Sequence, residues 1–163
     1  MDTAGFEQWY RAHHGRIATV LAAATGDVHV ARDAADEACA RVLERWPRVQ
    51  QMDSPAAWAY RVGLNVARRR LRRASLERTV WRRQPAVQSV PPPSEPSEVW
   101  DAVAELPQRQ RTALVLRYVA DLTEPVIAEV MGIAPGTVSA TLHAARRRLA
   151  QRLGAPATRS GHE

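Results

Sequence analysis

The sequence predicts an all-α protein built as two small helical domains joined by a Pro-rich linker. Three observations carry that expectation. Apolar residues recur at steps of three and four on both sides of one proline-rich break, as on the buried stripe of a helix. Residues 84–98, QPAVQSVPPPSEPSE, hold five prolines and no such pattern, which reads as a linker, semi-extended where the prolines cluster. The charge is also blocked: residues 61–83 carry +8 and residues 131–163 carry +4, while 1–60, 84–100 and 101–130 carry −2 each. Two basic blocks set among acidic ones suggest two contacts with a polyanion rather than a general cationic coat.

The elements follow in order. Over residues 4–25, Phe6, Tyr10, Ile17, Leu21 and Ala24 fall near one side of a helix, and Gly26-Asp27 breaks it. A second helix is expected from about Val30 to Trp46, with Ala35, Ala38, Val42 and Trp46 on its buried side. Asp33, Asp36 and Glu37 lie near its start, where acids suit the positive end of the helix dipole. Pro47 ends it, and residues 47–54 read as a loop. Ser54-Pro55 then starts a third helix, a capping hydroxyl followed by proline at the first helical position.

That third helix carries two stripes. Ala57, Tyr60, Leu64, Ala67 and Leu71 should face the core. Trp58, Arg61, Asn65, Arg68 and Arg72 repeat the same steps one residue later, about 100° around the axis. An aromatic, an amide and three guanidiniums on one face can stack on bases, bond base edges and neutralise phosphates. A solvated arginine face is the plainer explanation for the arginines; Trp58 and Asn65 on the same stripe argue against it. Helical character is expected to about Arg83.

After the linker the pattern returns with Trp100, Val103 and Leu106, and Pro107 starts a helix through Tyr118. The stretch from Leu122 to Leu149 reads as two helices joined by a tight turn. Thr123 is placed to cap the first through its hydroxyl, with Pro125 in the first turn. Val126, Ile127, Val130 and Met131 give it an apolar side, and Gly132 stops it. Pro135 opens the second helix, whose buried stripe is Val138, Leu142, Ala145 and Leu149. A short helix, a glycine turn and a second helix with polar N-terminal positions is the helix-turn-helix arrangement, whose second helix enters the major groove. A helical hairpin with a solvated basic face has the same pattern. Residues 155–163 read as a tail.

Composition narrows the function. All 23 basic residues are arginine; the planar fork suits phosphate and guanine edges, and a GC-rich genome gives the same bias. Cys39 is the single cysteine, so neither an internal disulfide nor a thiolate zinc site is expected. His13, His14 and His29 suggest no site, because adjacent histidines on a helix point to different sides. With no nucleophile and base, no paired carboxylates and no metal spacing, an enzyme is not expected, and no cofactor or metal is implied. No apolar run approaches a membrane span and the N-terminus lacks a signal-peptide pattern, so a cytoplasmic protein without membrane insertion is expected.

Taken together, DAADEACARVLERW (33–46), WAYRVGLNVARRRLRR (58–73) and the run from Glu105 to Leu149 resemble, in order and spacing, a bacterial RNA polymerase sigma factor of the extracytoplasmic-function (ECF) group of the sigma-70 family. The resemblance covers residues 4 to about 153. It implies sigma region 2 over 1–83, a linker over 84–98, sigma region 4 over 99–155 and a flexible tail over 156–163. It further implies an initiation factor that binds core RNA polymerase, through the β′ clamp helices and β, and recognises a two-part promoter and promotes its melting. An anti-sigma factor is an expected partner. In the first block, the resemblance gives core polymerase binding to Asp33, Asp36, Glu37, Leu43 and Trp46. The second gives minus-ten binding and melting to Trp58, Arg61, Asn65, Arg68, Arg69, Arg72 and Arg73, with the preceding loop Gln50, Gln51, Met52, Asp53 cupping a flipped base. The third gives minus-thirty-five binding to Pro135, Gly136, Thr137, Ser139, Ala140, Thr141, His143, Arg146 and Arg147. Relatives often carry basic residues where Ser139, Thr141 and Ala144 stand here, so the contacts at minus ten are expected to outweigh those at minus thirty-five. The alternative is a helix-turn-helix regulator independent of polymerase, which leaves the first two blocks without a purpose.

Overall fold

The computed structural model describes residues 3–81 and 98–154; most of the expected linker and the tail fall outside them. Among the described residues the chain forms eight helices: α1 (Thr3–Thr25), α2 (Val28–Glu44), α3 (Trp46–Val49), α4 (Pro55–Trp81), α5 (Glu98–Ala104), α6 (Gln108–Tyr118), α7 (Glu124–Met131) and α8 (Pro135–Arg152).

Local chemistry sets most boundaries. Asp27 caps α2, accepting a hydrogen bond from the Val30 amide at 2.9 Å, so this helix begins two residues before the expected start. Its end also differs. The expected helix through Trp46 breaks at Arg45, and Trp46 opens the separate turn α3 with Pro47 at its second position. Proline tolerates a first turn, where its missing N–H has no partner to lose. Ser54 Oγ accepts from the Ala57 amide at 3.1 Å, the cap expected before Pro55. Gly132 ends α7 at φ +66° with the Ile133 amide bonded back to the Ala128 carbonyl, the left-handed stop that glycine adopts at low cost. Thr123 occupies the N-cap position of α7 but its hydroxyl makes no capping bond.

The first four helices pack around Ile17, Val20, Leu21, Val42, Val49 and Leu64, all essentially solvent-free. α1 and α4 approach closely at Gly63, where an added Cβ would come 2.7 Å from Leu21 Cδ1. The second four enclose Leu116, Ile127, Val138 and Leu142. The chain bends by 102° between α7 and α8, within the range of a helix-turn-helix. No single helix among the described residues is long and apolar enough to cross a membrane.

The two halves lie against each other. α6 runs along α1 and α7 meets α4. Gln108 Nε2 donates to the Ala24 carbonyl at 2.7 Å and Arg111 Nη2 to the Thr25 carbonyl at 3.4 Å. These carbonyls end α1, where the last turn leaves acceptors without helical partners; the second half caps the first. Eight residues earlier on α1, Arg16 donates to the Val119 carbonyl at 3.1 Å. The Arg111 guanidinium sits over Gly26, whose φ of +77° and missing Cβ leave it room.

Candidate functional site

On α4 the two stripes separate as their period requires. Ala57, Tyr60, Leu64 and Ala67 are buried and Leu71 is half-buried, while Arg61, Asn65, Arg72 and Arg73 are exposed and Trp58 is half-buried. The preceding loop exposes Gln50, Gln51 and Asp53, and Met52 leans on the core. An exposed amide and guanidinium one turn apart, beside an indole and a loop rich in side-chain amides, can bond base edges and a backbone phosphate together.

Other arginines of the block are engaged. Arg68 is half-buried and faces Arg109 of α6; burial, then the like charge, lowers its pKa. Arg69 Nε bonds the Asn65 carbonyl at 3.4 Å. Arg70, absent from the expected site, reaches α2 and bridges Asp33 at 3.1 Å and Glu37 at 3.2 Å. Its signal in the sequence was only its place opposite Arg61 and Asn65 on the helix.

The acids expected to meet polymerase are therefore paired within the chain. Glu37 also takes Arg41, and although burial pushes its carboxyl up, the hydrogen bonds and charges of Arg70 and Arg41 outweigh that and hold it below the usual range. Asp36 lies 2.7 Å from His14 Nε2. The Asp33 and Asp36 side chains are 61% and 60% exposed, so each remains open to a second donor, whereas both oxygens of the less exposed Glu37 are already taken by Arg41 and Arg70. Leu43 is half-buried. Trp46 requires a correction: it is 5% exposed, edge-on to Phe6 at 5.8 Å and tilted against Trp9 at 5.9 Å. It belongs to an aromatic core with Phe6 and Trp9 rather than to the exposed face of α2.

On α8, Pro135, Gly136, Ser139, Ala140, His143, Arg146 and Arg147 are exposed and Thr137 is half-buried. Thr141 corrects the expected site. It is 8% exposed and donates its hydroxyl to the Thr137 carbonyl at 2.7 Å, because it lies beside Val138, Leu142 and Ala145 on the buried side. Two further residues hold this surface. Arg146 Nε donates to Tyr118 Oη at 2.9 Å, with its guanidinium 5.7 Å from the ring centroid. Ser139 Oγ donates to Glu124 Oε2 at 2.5 Å. Tyr118 and Glu124 sit 28 and 15 residues from these partners, too far for any helical-spacing rule to pair them.

Among the described residues no group of three or more His, Cys, Asp or Glu could hold a metal ion. Cys39 is buried, which, with Asp36 nearby, pushes its thiol up to about 11, far from a nucleophile's range.

Comparison with known proteins gives these faces a context. Residues 9–77 match sigma-70 region 2, and residues 97–149 match sigma-70 region 4; together they take up about three quarters of the chain. The chain is 26% identical to the RNA polymerase sigma-E factor of Streptomyces coelicolor over 162 residues, covering 91% of this chain and 85% of that protein. It is 27% identical to the ECF RNA polymerase sigma factor SigM of Mycobacterium tuberculosis over 159 residues, covering 94% of this chain and 79% of that one. The fold is similar to that of the sigma factor RpoE of Bartonella quintana, solved with the anti-sigma factor NepR. There the TM-score is 0.81 at 17% identity, over 94% of this chain and 99% of that one. It is also similar to that of CnrH, solved with the cytosolic domain of CnrY, with a TM-score of 0.64 at 20% identity over 96% and 92%.

Proposed function

This chain belongs to the sigma-70 family as an ECF sigma factor, an alternative initiation factor that works with RNA polymerase, and we propose a division of its work between two faces. Region 2 is residues 1–83 and region 4 is residues 99–155, with 84–98 joining them. The loop Gln50–Asp53 and the α4 residues Trp58, Arg61 and Asn65 take the minus-ten element and its unpaired strand, with Arg72 and Arg73 on phosphates. The exposed side of α8 takes the minus-thirty-five element. Asp33, Asp36 and Leu43 of α2 meet the polymerase clamp helices, and Trp46 supports that helix from the core. Polymerase supplies the chemistry; this chain supplies binding free energy. Unstacking a base costs a few kcal/mol, offset by stacking and phosphate contacts on the exposed strand.

The observation that carries this reading is the pairing of exposed Arg61 and Asn65, beside the half-buried Trp58, with a helix-turn-helix in one chain. It also requires the halves to part. The two promoter elements lie about 25 base pairs apart, roughly 85 Å of duplex at 3.4 Å per pair. A closed chain of this length has a radius of gyration near ~15 Å and touches one element at most. A stretch of sixteen residues, the length of 82–97, extends to about 55 Å, and together with the breadth of the two halves meets the span. The closed arrangement is accordingly a resting form, and an anti-sigma partner would act by favouring it.

Run-off transcription with core polymerase on a promoter library, with and without this protein, tests the reading. Start sites that appear only with the protein and share two spaced elements are expected. Tight sequence-specific binding by the chain alone, with no polymerase-dependent start sites, overturns it in favour of a polymerase-independent regulator.

A further inference from the structure

The bond between Glu124 and Ser139 crosses from the first helix of the helix-turn-helix to the second, and it settles the hydrogen-bonding character of the residue that follows Val138 on α8. A serine hydroxyl has one proton and two lone pairs. Here the proton is given to the carboxylate, so what Ser139 turns outward is an acceptor. The carboxylate itself only accepts. Glu124 is the first residue of α7, where the positive end of the helix dipole stabilises its charge, and the Ser139 proton offsets part of the cost of bringing it towards DNA.

The surroundings leave this pair accessible. Ser139 and Ala140 are exposed. Gly136 has nothing within 4 Å of an added Cβ, so a duplex backbone can come close to the start of α8. Pro135 has no N–H and the Thr137 and Val138 amides bond the Ala134 carbonyl, so the Gly136 amide is what the first turn of α8 offers a phosphate. A phosphate seated there sets the N-terminal turns of α8 against base edges.

We propose that Glu124 and Ser139 form a specificity-determining pair that reads an exocyclic amino group, adenine N6 or cytosine N4, at one position of the minus-thirty-five element. The major-groove edge decides this. Adenine and cytosine offer an amino donor there, whereas guanine O6 and N7 and thymine O4 offer only acceptors, which meet Ser139 lone pair to lone pair. The inference rests on the reading of α8 as the helix facing that element.

Selection of promoters by the reconstituted holoenzyme, from a library randomised across both elements, tests it. The expected result is one minus-thirty-five position enriched roughly tenfold in adenine or cytosine, within what a good base contact discriminates. S139A should flatten that position alone. E124Q should admit guanine and thymine there, because the amide can donate and Ser139 regains a free proton, while the minus-ten preference stays as in the unaltered protein. If the bond only braces α7 against α8, both substitutions lower transcription evenly across all sequences and move no base preference; that result overturns the pair's role and leaves the sigma reading standing. An enriched position that S139A and E124Q both leave intact also overturns it. A holoenzyme that selects no spaced elements at all removes the sigma reading, and this inference with it.

Discussion

α4 and α8 both present arginines to the proposed DNA surface, yet they hold them differently. On α4, between residues 61 and 73, Arg70 is tied to Asp33 and Glu37, Arg68 is half-buried against Arg109 and Arg69 leans on its own backbone; Arg61, Arg72 and Arg73 are exposed with no ion pair to another described residue. On α8, Arg146 is posed by a tyrosine, Arg152 pairs with Glu105, and Arg147 and Arg148 are exposed with no ion pair to another described residue. The lesson is that a run of guanidiniums is not a count of phosphate contacts. On α4 the same residue type also knits two helices together and lines the seam between the halves.

The strongest way to break this comparison is to strip the exposed groups of each helix. Replacing Arg61 and Asn65 with alanine should lower open-complex formation by about ten- to a hundredfold, as loss of a 1–3 kcal/mol base contact requires. Replacing Arg147 should weaken initial binding while bubbles still open. Permanganate footprinting beside holoenzyme gel shifts measures the two steps, and the reverse pattern would refute the division.

Packing offers a second contrast. Gly63→Ala places a methyl against the fully buried Leu21 and should cost about 1–3 kcal/mol. Gly136→Ala enters open space and should stay within about 0.5 kcal/mol. Thermal unfolding by circular dichroism compares them. Thr141→Arg belongs with the first of these. It should lower the melting temperature through overpacking of about 1–3 kcal/mol and leave promoter binding no tighter; a gain in affinity with unchanged melting would show that this site does open to DNA.

The seam is the next target. Gln108→Ala with Arg111→Ala removes the donors to the Ala24 and Thr25 carbonyls, each bond contributing about 1 kcal/mol. Small-angle scattering should show a larger radius of gyration for the free chain, with holoenzyme transcription retained. An unchanged radius would mean that the apolar contacts, with the bond from Arg16 to the Val119 carbonyl, suffice to keep the halves together.

The smallest effect is one of pH. Burial raises the Cys39 thiol to about 11, whereas an unfolded thiol ionises near 8.5. The stability linked to this group is therefore complete below about pH 8.5 and is lost as pH rises towards 11. Alkaline denaturation should flatten over that window in Cys39→Ala, and an identical slope would remove the assignment.

Much of the fold was legible in residue order because its signals are local. Apolar steps of three and four, Ser54 before Pro55 and Gly132 after Met131 act within a few residues and stand in the structure where the sequence placed them, except that in α1 Tyr10 is exposed and its neighbour Trp9 is buried instead. The end of α2 was misjudged because proline is as suited to a helix's first turn as to its exit, and only packing of Trp46 on Phe6 and Trp9 distinguishes the two. The expected site divides in the same way. Exposure of Arg61, Asn65, Ser139 and Arg147 follows from helical phase against a buried stripe, and Thr141 was misplaced by one position at the stripe's edge. What tertiary structure alone decided is which polar side chain meets which. Ser139 with Glu124, Arg146 with Tyr118, Arg70 with Asp33 and Arg16 with Val119 are separated by 15, 28, 37 and 103 residues. Those pairings are consequences of how the helices cross, and a hydrogen bond depends on tenths of an ångström that helical period and composition do not encode.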